Sequence, residues 1–244
     1  MLQPNERIDQ LYADDIKIIQ SSEVFSFSLD AVLLANYARV PKRGVVVDLC
    51  AGNGAVGLFI SRKTTAHIYQ VELQERLADM AQRSIELNDL QDQLTVYPMD
   101  LKNLFQKIKP DSVDLLVCNP PYFKNVPTAI KNPNRYLAIA RHEITTNLDE
   151  VIQTASKALK MNGRFAMVHR PDRFLDILDH MRAHRIAPKR VRFVYPKVGK
   201  EANILLIEGI KDGKADGFKI DSPLITYDET GAYSSEVKAM LYGC

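Results

Sequence analysis

The stretch that most constrains the fold is Val45-Val46-Val47-Asp48-Leu49-Cys50-Ala51-Gly52-Asn53-Gly54-Ala55-Val56-Gly57. A β-branched run ends on an acid, passes through a glycine-rich turn and opens into an apolar helix. That order is a strand, a tight turn sized for a phosphate or nucleoside, and the first crossover helix of a parallel α/β sheet. Gly52 and Gly54 let the backbone turn sharply and let a ligand approach with no Cβ in the way. Gly52-x-Gly54-x-x-Gly57 also fits the dinucleotide fingerprint, in which a pyrophosphate rests on a helix N-terminus. Asp48 argues against that choice. An acid at the strand's end, facing the turn, repels a pyrophosphate and suits a ligand with cationic groups.

The remainder of the chain supports the α/β assignment. Strands are predicted near 45–49, 67–72, 94–98, 113–118 and 164–169, with helices near 55–62, 75–88, 101–108, 147–160 and 172–184. Asn147, with Glu150 three residues on, marks a capped helix start, and Met161-Asn162-Gly163 a helix stop. Val191–Tyr195 and Ile204–Glu208 are joined too closely for a parallel crossover, so they are expected to pair as an antiparallel edge hairpin. A short strand at Leu224-Ile225 and a helix over Ser235–Tyr242 complete the chain. Ahead of the sheet, Leu11, Ile16, Ile18 and Ile19 are expected to form a small strand or cap, and Ser28 or Asp30 to N-cap a helix carrying Val32, Leu33, Leu34 and Tyr37. The expectation is a leader and cap helix over 1–40 and a main α/β domain over 41–244, one compact unit in all.

Composition narrows the class. The 244 residues are 46% hydrophobic and 25% charged, ordinary for a soluble globular protein. No apolar run approaches the roughly 20 residues that cross a bilayer, and Met1-Leu-Gln-Pro-Asn-Glu-Arg7 lacks a secretory core. Cys50, Cys118 and Cys244 are too dispersed for a zinc motif and odd in number, so buried thiols, no metal and a reducing cytoplasm are expected. The net charge of +2 predicts no partner by itself. Its distribution is segregated: Asn119–Arg141 carries +4 and Arg185–Lys200 carries +6 with no acid in either, leaving −8 elsewhere. Such segregation is either a polyanion-binding face or a solvated surface.

Three more sites carry chemistry. Glu72 closes the strand His67–Glu72, where a carboxylate accepts both ribose hydroxyls of a nucleoside cofactor. Asp100 follows the third strand, with Met99 and Leu101 as apolar walls. It is placed either to accept from a cofactor's adenine amino group or to N-cap the next helix. Asn119-Pro120-Pro121-Tyr122 then ends the apolar strand that begins at Asp114. Consecutive prolines remove two backbone donors and keep the chain extended, leaving carbonyls outward as acceptors. The Asn119 side-chain oxygen and the Pro120 carbonyl would accept both N–H groups of a planar amine and favour the charge it gains on attack, with Tyr122 stacked on its ring.

In this order Asp48-x-x-x-Gly52-x-Gly54, Glu72, Asp100 and Asn119-Pro-Pro-Tyr122 resemble the amino-methylating branch of class I S-adenosylmethionine-dependent methyltransferases. The resemblance implies a doubly wound, mostly parallel seven-stranded sheet with an antiparallel edge hairpin. Almost the whole chain is similar to the tRNA(Val) adenine N6-methyltransferase family, helped by Phe27-Ser28-Leu29-Asp30-Ala-Val-Leu-Leu34, the compact leader and the basic Arg190–Lys200 segment. It implies S-adenosylmethionine held by Asp30, Asp48, Gly52, Asn53, Gly54, Glu72, Leu73, Asp100, Leu101 and Asn119. It further implies a target amine at Asn119, Pro120 and Tyr122, and a tRNA adenine beside the anticodon as substrate. Pro121, Phe123, Lys124, Arg135, Arg141, Lys189, Arg190 and Arg192 are the expected RNA contacts, with Tyr136 available for stacking. Glutamine methylation of a protein such as a release factor shares the tetrad. Those enzymes usually carry a helical domain ahead of the core, and only about 40 residues precede it here. His142-Glu143 is given no catalytic role, and neither a phosphate-binding Gly-x-x-x-x-Gly-Lys loop nor a serine nucleophile elbow is present.

Overall fold

Consecutive residues of the central strands are buried on both sides: Val46 and Val47, Leu115 and Leu116, Phe165 and Ala166 have no solvent exposure. Strands covered on both faces belong to a sheet sandwiched between helices. That is the architecture of the computed structural model, which describes residues 2–11, 13, 15–24, 28–122 and 146–243.

Strands β1 (Glu6–Leu11) and β2 (Ile16–Ser21) form an antiparallel hairpin ahead of helix α1 (Leu29–Tyr37). Alternation then begins: β3 (Val45–Leu49), α2 (Ala55–Ser61), β4 (His67–Glu72), α3 (Glu75–Leu87), β5 (Leu94–Pro98), a 3-10 turn over Leu101–Gln106, and β6 (Val113–Cys118). After these come α4 (Leu148–Ala158), β7 (Leu159–His169), α5 (Phe174–Ala183), β8 (Ile186–Tyr195) and β9 (Ile204–Lys211). Two-residue strands β10 (Lys219–Ile220) and β11 (Leu224–Ile225) and helix α6 (Ser235–Tyr242) follow. The main sheet runs β10-β8-β9-β7-β6-β3-β4-β5, with β11 also on β8. Its pairings are parallel except those of β9, which is antiparallel to both β7 and β8. The seven long strands and the hairpin are those the sequence predicts. β10 and β11 add short parallel pieces along β8.

Alternate residues feed two cores. Val46, Ile68, Leu115, Val117 and Val168 pack with α1 and α2 on one face; Val47, Leu116, Phe165, Met167 and Ile207 pack with α4 and α5 on the other. The leader is a hairpin, docked by polar contacts on α3. Lys17 N donates to Asn88 Oδ1 at 2.9 Å, Asn88 Nδ2 donates back to Lys17 O at 2.6 Å, and Arg83 holds both oxygens of Glu6 at 2.7 Å. The capping box of α4 is present: Glu150 N donates to Asn147 Oδ1 at 2.9 Å, and Asn147 N to Glu150 Oε2 at 3.3 Å. Among the described residues, no helix is long and apolar enough to cross a membrane.

Three local expectations are corrected. Met161-Asn162-Gly163 does not end a helix. It lies within β7, where Asn162 has a φ of 63° and the pairing with β6 shifts register between Val113 and Leu115. A Cβ on Gly163 would sit 2.9 Å from the Val113 carbonyl oxygen, so glycine here permits close backbone approach at a bulge. The segment after Asp100 forms a 3-10 turn in place of an α-helix. Ser28 holds the N-cap position of α1, but its hydroxyl makes no cap bond and is buried without a partner.

The acid-free segment 185–200 meets acids in space that it lacks in sequence. Arg185 pairs with Asp212 at 2.8 Å and Arg192 with Glu236 at 2.6 Å; Lys189 Nζ donates to the carbonyls of Lys214 and Asp216 at 2.6 Å. Arg190 pairs with Glu208 and Asp221, donates to the Tyr37 carbonyl and lies 3.9 Å over the Tyr37 ring. Glu208, on β9, is wholly buried and also receives Arg164 Nη1 at 2.9 Å and Arg39 N at 3.1 Å. It is the common anion of this cluster. Glu208→Ala should therefore lower the unfolding free energy by about 3 kcal/mol, because Arg164 loses its acid and Arg190 is left with Asp221 alone. Chemical denaturation reads the change, and a loss below about 1 kcal/mol would mean the arginines reach water unaided.

Candidate active site

The turn after β3 is built around two carboxylates and one glutamine. Cys50, Gly52 and Gly54 have φ values of 60°, 58° and 85°. A Cβ on Gly54 would fall 2.7 Å from Gln70 Oε1, so this position needs glycine for both conformation and space. Gln70 Nε2 donates to the Gly54 carbonyl at 2.8 Å. Asp48, fully buried, accepts from Gly57 N at 2.9 Å through Oδ2, while its Oδ1 has no partner. Glu72 accepts from Gly52 N through Oε2 and from Gln74 N through Oε1, each at 2.8 Å. Burial pushes the Asp48 carboxyl up to about 7, with the Glu72 charge adding to the effect; burial likewise raises Glu72.

A cavity of about 430 Å³ opens over this turn at the carboxyl ends of the strands, the place where open α/β sheets take ligands. Its wall includes Asp30, Gly52, Asn53, Glu72, Leu73, Asp100, Leu101, Asn119, Pro120, Pro121 and Tyr122, all singled out from the sequence. Asp48 and Gly54 lie behind that wall, where they shape the turn from beneath. Asp100 Oδ1 accepts from Lys102 N at 2.9 Å, so its capping role is real, and the residue also faces the cavity. Lys189, Arg190 and Arg192 do not line it. Phe123, Lys124, Arg135, Tyr136, Arg141 and His142-Glu143 lie outside the described residues.

In the cavity wall, the Tyr122 hydroxyl lies 2.7 Å from both Asp30 Oδ2 and Asn119 Oδ1. Burial, and then the Asp30 charge, hold the Tyr122 phenol well above its ordinary range, so it stays protonated. Its ring is tilted against His169 at 5.1 Å between centroids. His169 ends β7, is 1% exposed, and accepts from Arg170 N through Nδ1 at 2.8 Å. Burial, with Arg173 as the next cause, lowers it to about 4, so the ring is neutral and Nε2 carries a hydrogen with no acceptor. Ser28, Gln74, Thr146 and Arg170 also line the cavity. Sequence reasoning gave Gln74, Thr146, Arg170 and His169 no role, and Ser28 only a capping one. The strand pattern carried part of the signal: β7 runs parallel to β6 with Met167 level with Cys118, so the end of β7 at Val168 and His169 comes level with Asn119 and Pro120.

The cavity combines three carboxylates, at Asp30, Glu72 and Asp100, with apolar walls at Val71, Leu77, Met99 and Leu101. Ser28 Oγ and Gln74 Oε1 are buried there without partners. Such a lining suits a ligand bearing hydroxyl and amino groups and repels a polyphosphate. It also makes a stability prediction. A carboxyl whose folded-state pKa is raised binds its proton more tightly when folded, so stability is greatest at low pH and falls as pH climbs from the ordinary aspartate range through about 7. Relative to Asp48→Asn, the wild-type chain should lose stability across that window and then level off. Thermal unfolding on both sides of the window measures it; parallel curves would mean Asp48 is ionised throughout.

The methyltransferase small domain model matches residues 15–185, well over half the chain. A tRNA1(Val) (adenine(37)-N6)-methyltransferase from Porphyromonas gingivalis is 28% identical over 215 residues, covering 85% of this chain and 83% of that protein. One from Shewanella baltica is 27% identical over 181 residues, covering 72% and 74%. Among solved structures, a predicted O-methyltransferase from Agrobacterium tumefaciens superposes with a TM-score of 0.70 at 22% identity, covering 88% of this chain and 96% of that one. Pyrococcus horikoshii TYW2 in complex with MeSAdo does so at 0.60 and 14%, covering 86% and 73%. With the strand order, the cavity at the strand ends and a family match of this extent, the chain belongs to the methyltransferase small domain family.

Proposed function

We propose that this protein transfers the methyl group of S-adenosylmethionine to the exocyclic N6 of an adenine in RNA, and that its substrate is the adenine beside the anticodon of a valine tRNA. The observation that carries the proposal is that the carboxylates Asp30, Glu72 and Asp100 and the Asn119–Tyr122 tetrad line one and the same cavity. The names of the relatives in Porphyromonas gingivalis and Shewanella baltica support the choice of base and tRNA.

The unpartnered Ser28 and Gln74 oxygens, and the three acids with no compensating phosphate cradle, fit this cofactor. Glu72 would accept from the ribose hydroxyls and keeps lone pairs for them beyond those used by Gly52 N and Gln74 N. Asp100 would accept from the adenine amino group between Met99 and Leu101, and Gly52 would let the backbone close on the ligand. Asp48 would act from beneath, fixing the first turn of α2 through Gly57 N. The cofactor supplies a sulfonium-activated methyl group.

The chain's own residues do the rest by positioning and charge. One hydroxyl hydrogen cannot serve two acceptors, so Tyr122 donates to the carboxylate of Asp30, the stronger acceptor. Turning the Asn119 amide about its last bond then lets Nδ2 donate to the Tyr122 oxygen and frees Oδ1 for the target amine. Pro120 would offer its carbonyl as the second acceptor, because the two prolines keep this stretch extended and out of helical hydrogen bonding. Tyr122, held by Asp30 and by the His169 ring, presents a face for the base. An anticodon-loop adenine is already unpaired, so drawing it out costs only a few kcal/mol.

Transfer of tritiated methyl to bulk unmodified tRNA, followed by nucleoside analysis, tests the proposal. Label is expected in N6-methyladenosine. Label on a protein glutamine and none on RNA would reassign the same acceptors to an amide nitrogen. Asn119→Ala should lower kcat by about 10²–10³-fold while cofactor affinity changes no more than a few-fold; a variant keeping most of its rate would remove Asn119 from the mechanism.

A further inference from the structure

Helices α4 and α5 pack on the same face of the sheet, away from the cavity, and three polar side chains meet where they cross. Asp149 stands in the first turn of α4. His180 lies in the last turn of α5 and His184 caps that helix, four residues later and so on the same side. His180 Nδ1 is 2.9 Å and His184 Nε2 is 2.7 Å from the same oxygen, Asp149 Oδ1, and the three ligand atoms all lie within 4.8 Å of one another. None of the three lines the active-site cavity. Side-chain exposures of 50%, 36% and 20% for Asp149, His180 and His184 leave one side of the cluster open to water.

We propose that Asp149, His180 and His184 form a binding site for a divalent transition-metal ion, with Zn²⁺ the closest chemical match. Two imidazole nitrogens and one carboxylate oxygen are the donor set that zinc accepts, and water takes the fourth position from the open side. Magnesium and calcium prefer sets made only of oxygen, so this trio selects against them. Zinc–ligand bonds of about 2.0–2.1 Å place tetrahedral ligands roughly 3.3 Å apart. The two present nitrogen–oxygen separations are hydrogen-bond lengths, so entry of the ion lengthens each by roughly half an ångström and draws the two imidazole nitrogens, now within 4.8 Å, toward the same spacing, by side-chain rotation at a surface. No redox change is involved. Each imidazole that now donates its hydrogen to Asp149 offers that nitrogen's lone pair instead, with the hydrogen moved to its other ring nitrogen through water.

The spacing His180-x-x-x-His184 stands in the sequence, but the third ligand is 31 residues away on another helix and only the fold reveals it. The ion would join the start of α4 to the end of α5. Asp149 is three residues past Thr146, which lines the active-site cavity, so the clamp would also hold that part of the wall.

The test uses the full chain, freed of metal by a chelator that is then removed, and titrated with Co²⁺ and with Zn²⁺. One equivalent of Co²⁺ is expected to bind with the visible absorption of a tetrahedral site, to be displaced by Zn²⁺, and Zn²⁺ is expected to raise the thermal midpoint. H180Q/H184Q and, separately, D149N should each weaken Zn²⁺ binding by about tenfold or more and abolish the thermal shift. Metal-free circular dichroism checks that the variants fold, and H180Q alone, the mildest change, serves if D149N does not. Equal binding by wild type and variants would place the ion elsewhere, at Cys50 and Cys118 for instance, and overturn the site. Absence of saturable binding would leave the trio as a hydrogen-bonded clamp and overturn it as well.

Discussion

Two buried carboxylates hold the turn on which everything else at the sheet's upper edge depends. Asp48 takes the amide of Gly57 and Glu72 takes those of Gly52 and Gln74. Backbone donors at a tight strand-to-helix turn have no partners within the chain's regular structure, and burying them unpaired costs more than the bonds themselves return. The acids satisfy them, Glu72 from the cavity wall and Asp48 from beneath it. Desolvation raises both carboxyls. The turn is thus held by groups under electrostatic stress, a condition a ligand with hydroxyl or cationic groups relieves and one with phosphates worsens.

Parallel topology performs the assembly of the site. Strands β3, β4, β5, β6 and β7 all point the same way, so the residues immediately after each one converge on a single rim: Cys50 to Gly54, Leu73 and Gln74, Met99 to Leu101, Asn119 to Tyr122, Arg170. Segments separated by more than a hundred residues meet with no long-range device beyond strand order. Ser28 and Asp30 come instead from the start of α1 and Thr146 from just before α4, and Asp30 reaches across to Tyr122 over a sequence separation of 92. It ties α1 to the tetrad and gives the Tyr122 hydroxyl a fixed partner.

Much of this was legible in the residues. The long strands are β-branched or apolar runs, α3 and α4 have clear apolar stripes, and Asn147 with Glu150 marks a start that the structure realises as a full capping box. The acids after each strand mark the cavity because strand ends and cavity coincide in this topology. Other features depended on distance in space. Met161–Gly163 looks like a helix stop because its residues favour positive φ, and a β-bulge exploits the same property. The basic stretch 185–200 looks free of acids until β9 and the C-terminal segment bring Glu208, Asp212, Asp216, Asp221 and Glu236 against it. His169 carries no motif; its importance comes from lying under Tyr122.

The place of β9 in the sheet bears on how the molecule is made. β8 is synthesised before β9 but touches β7 only through it, since β9 lies between the two. Until residue 211 has left the ribosome, the β7 edge has no hydrogen-bonding neighbour, and Glu208, the anion that Arg39, Arg164 and Arg190 share, does not yet exist. A nascent chain therefore carries a row of unpaired strand amides once β7 is made, and a knot of like charges once Arg190 is made, until β9 follows. Both are closed by one late eight-residue segment, which makes β9 the step that completes the sheet and neutralises its buried charges together.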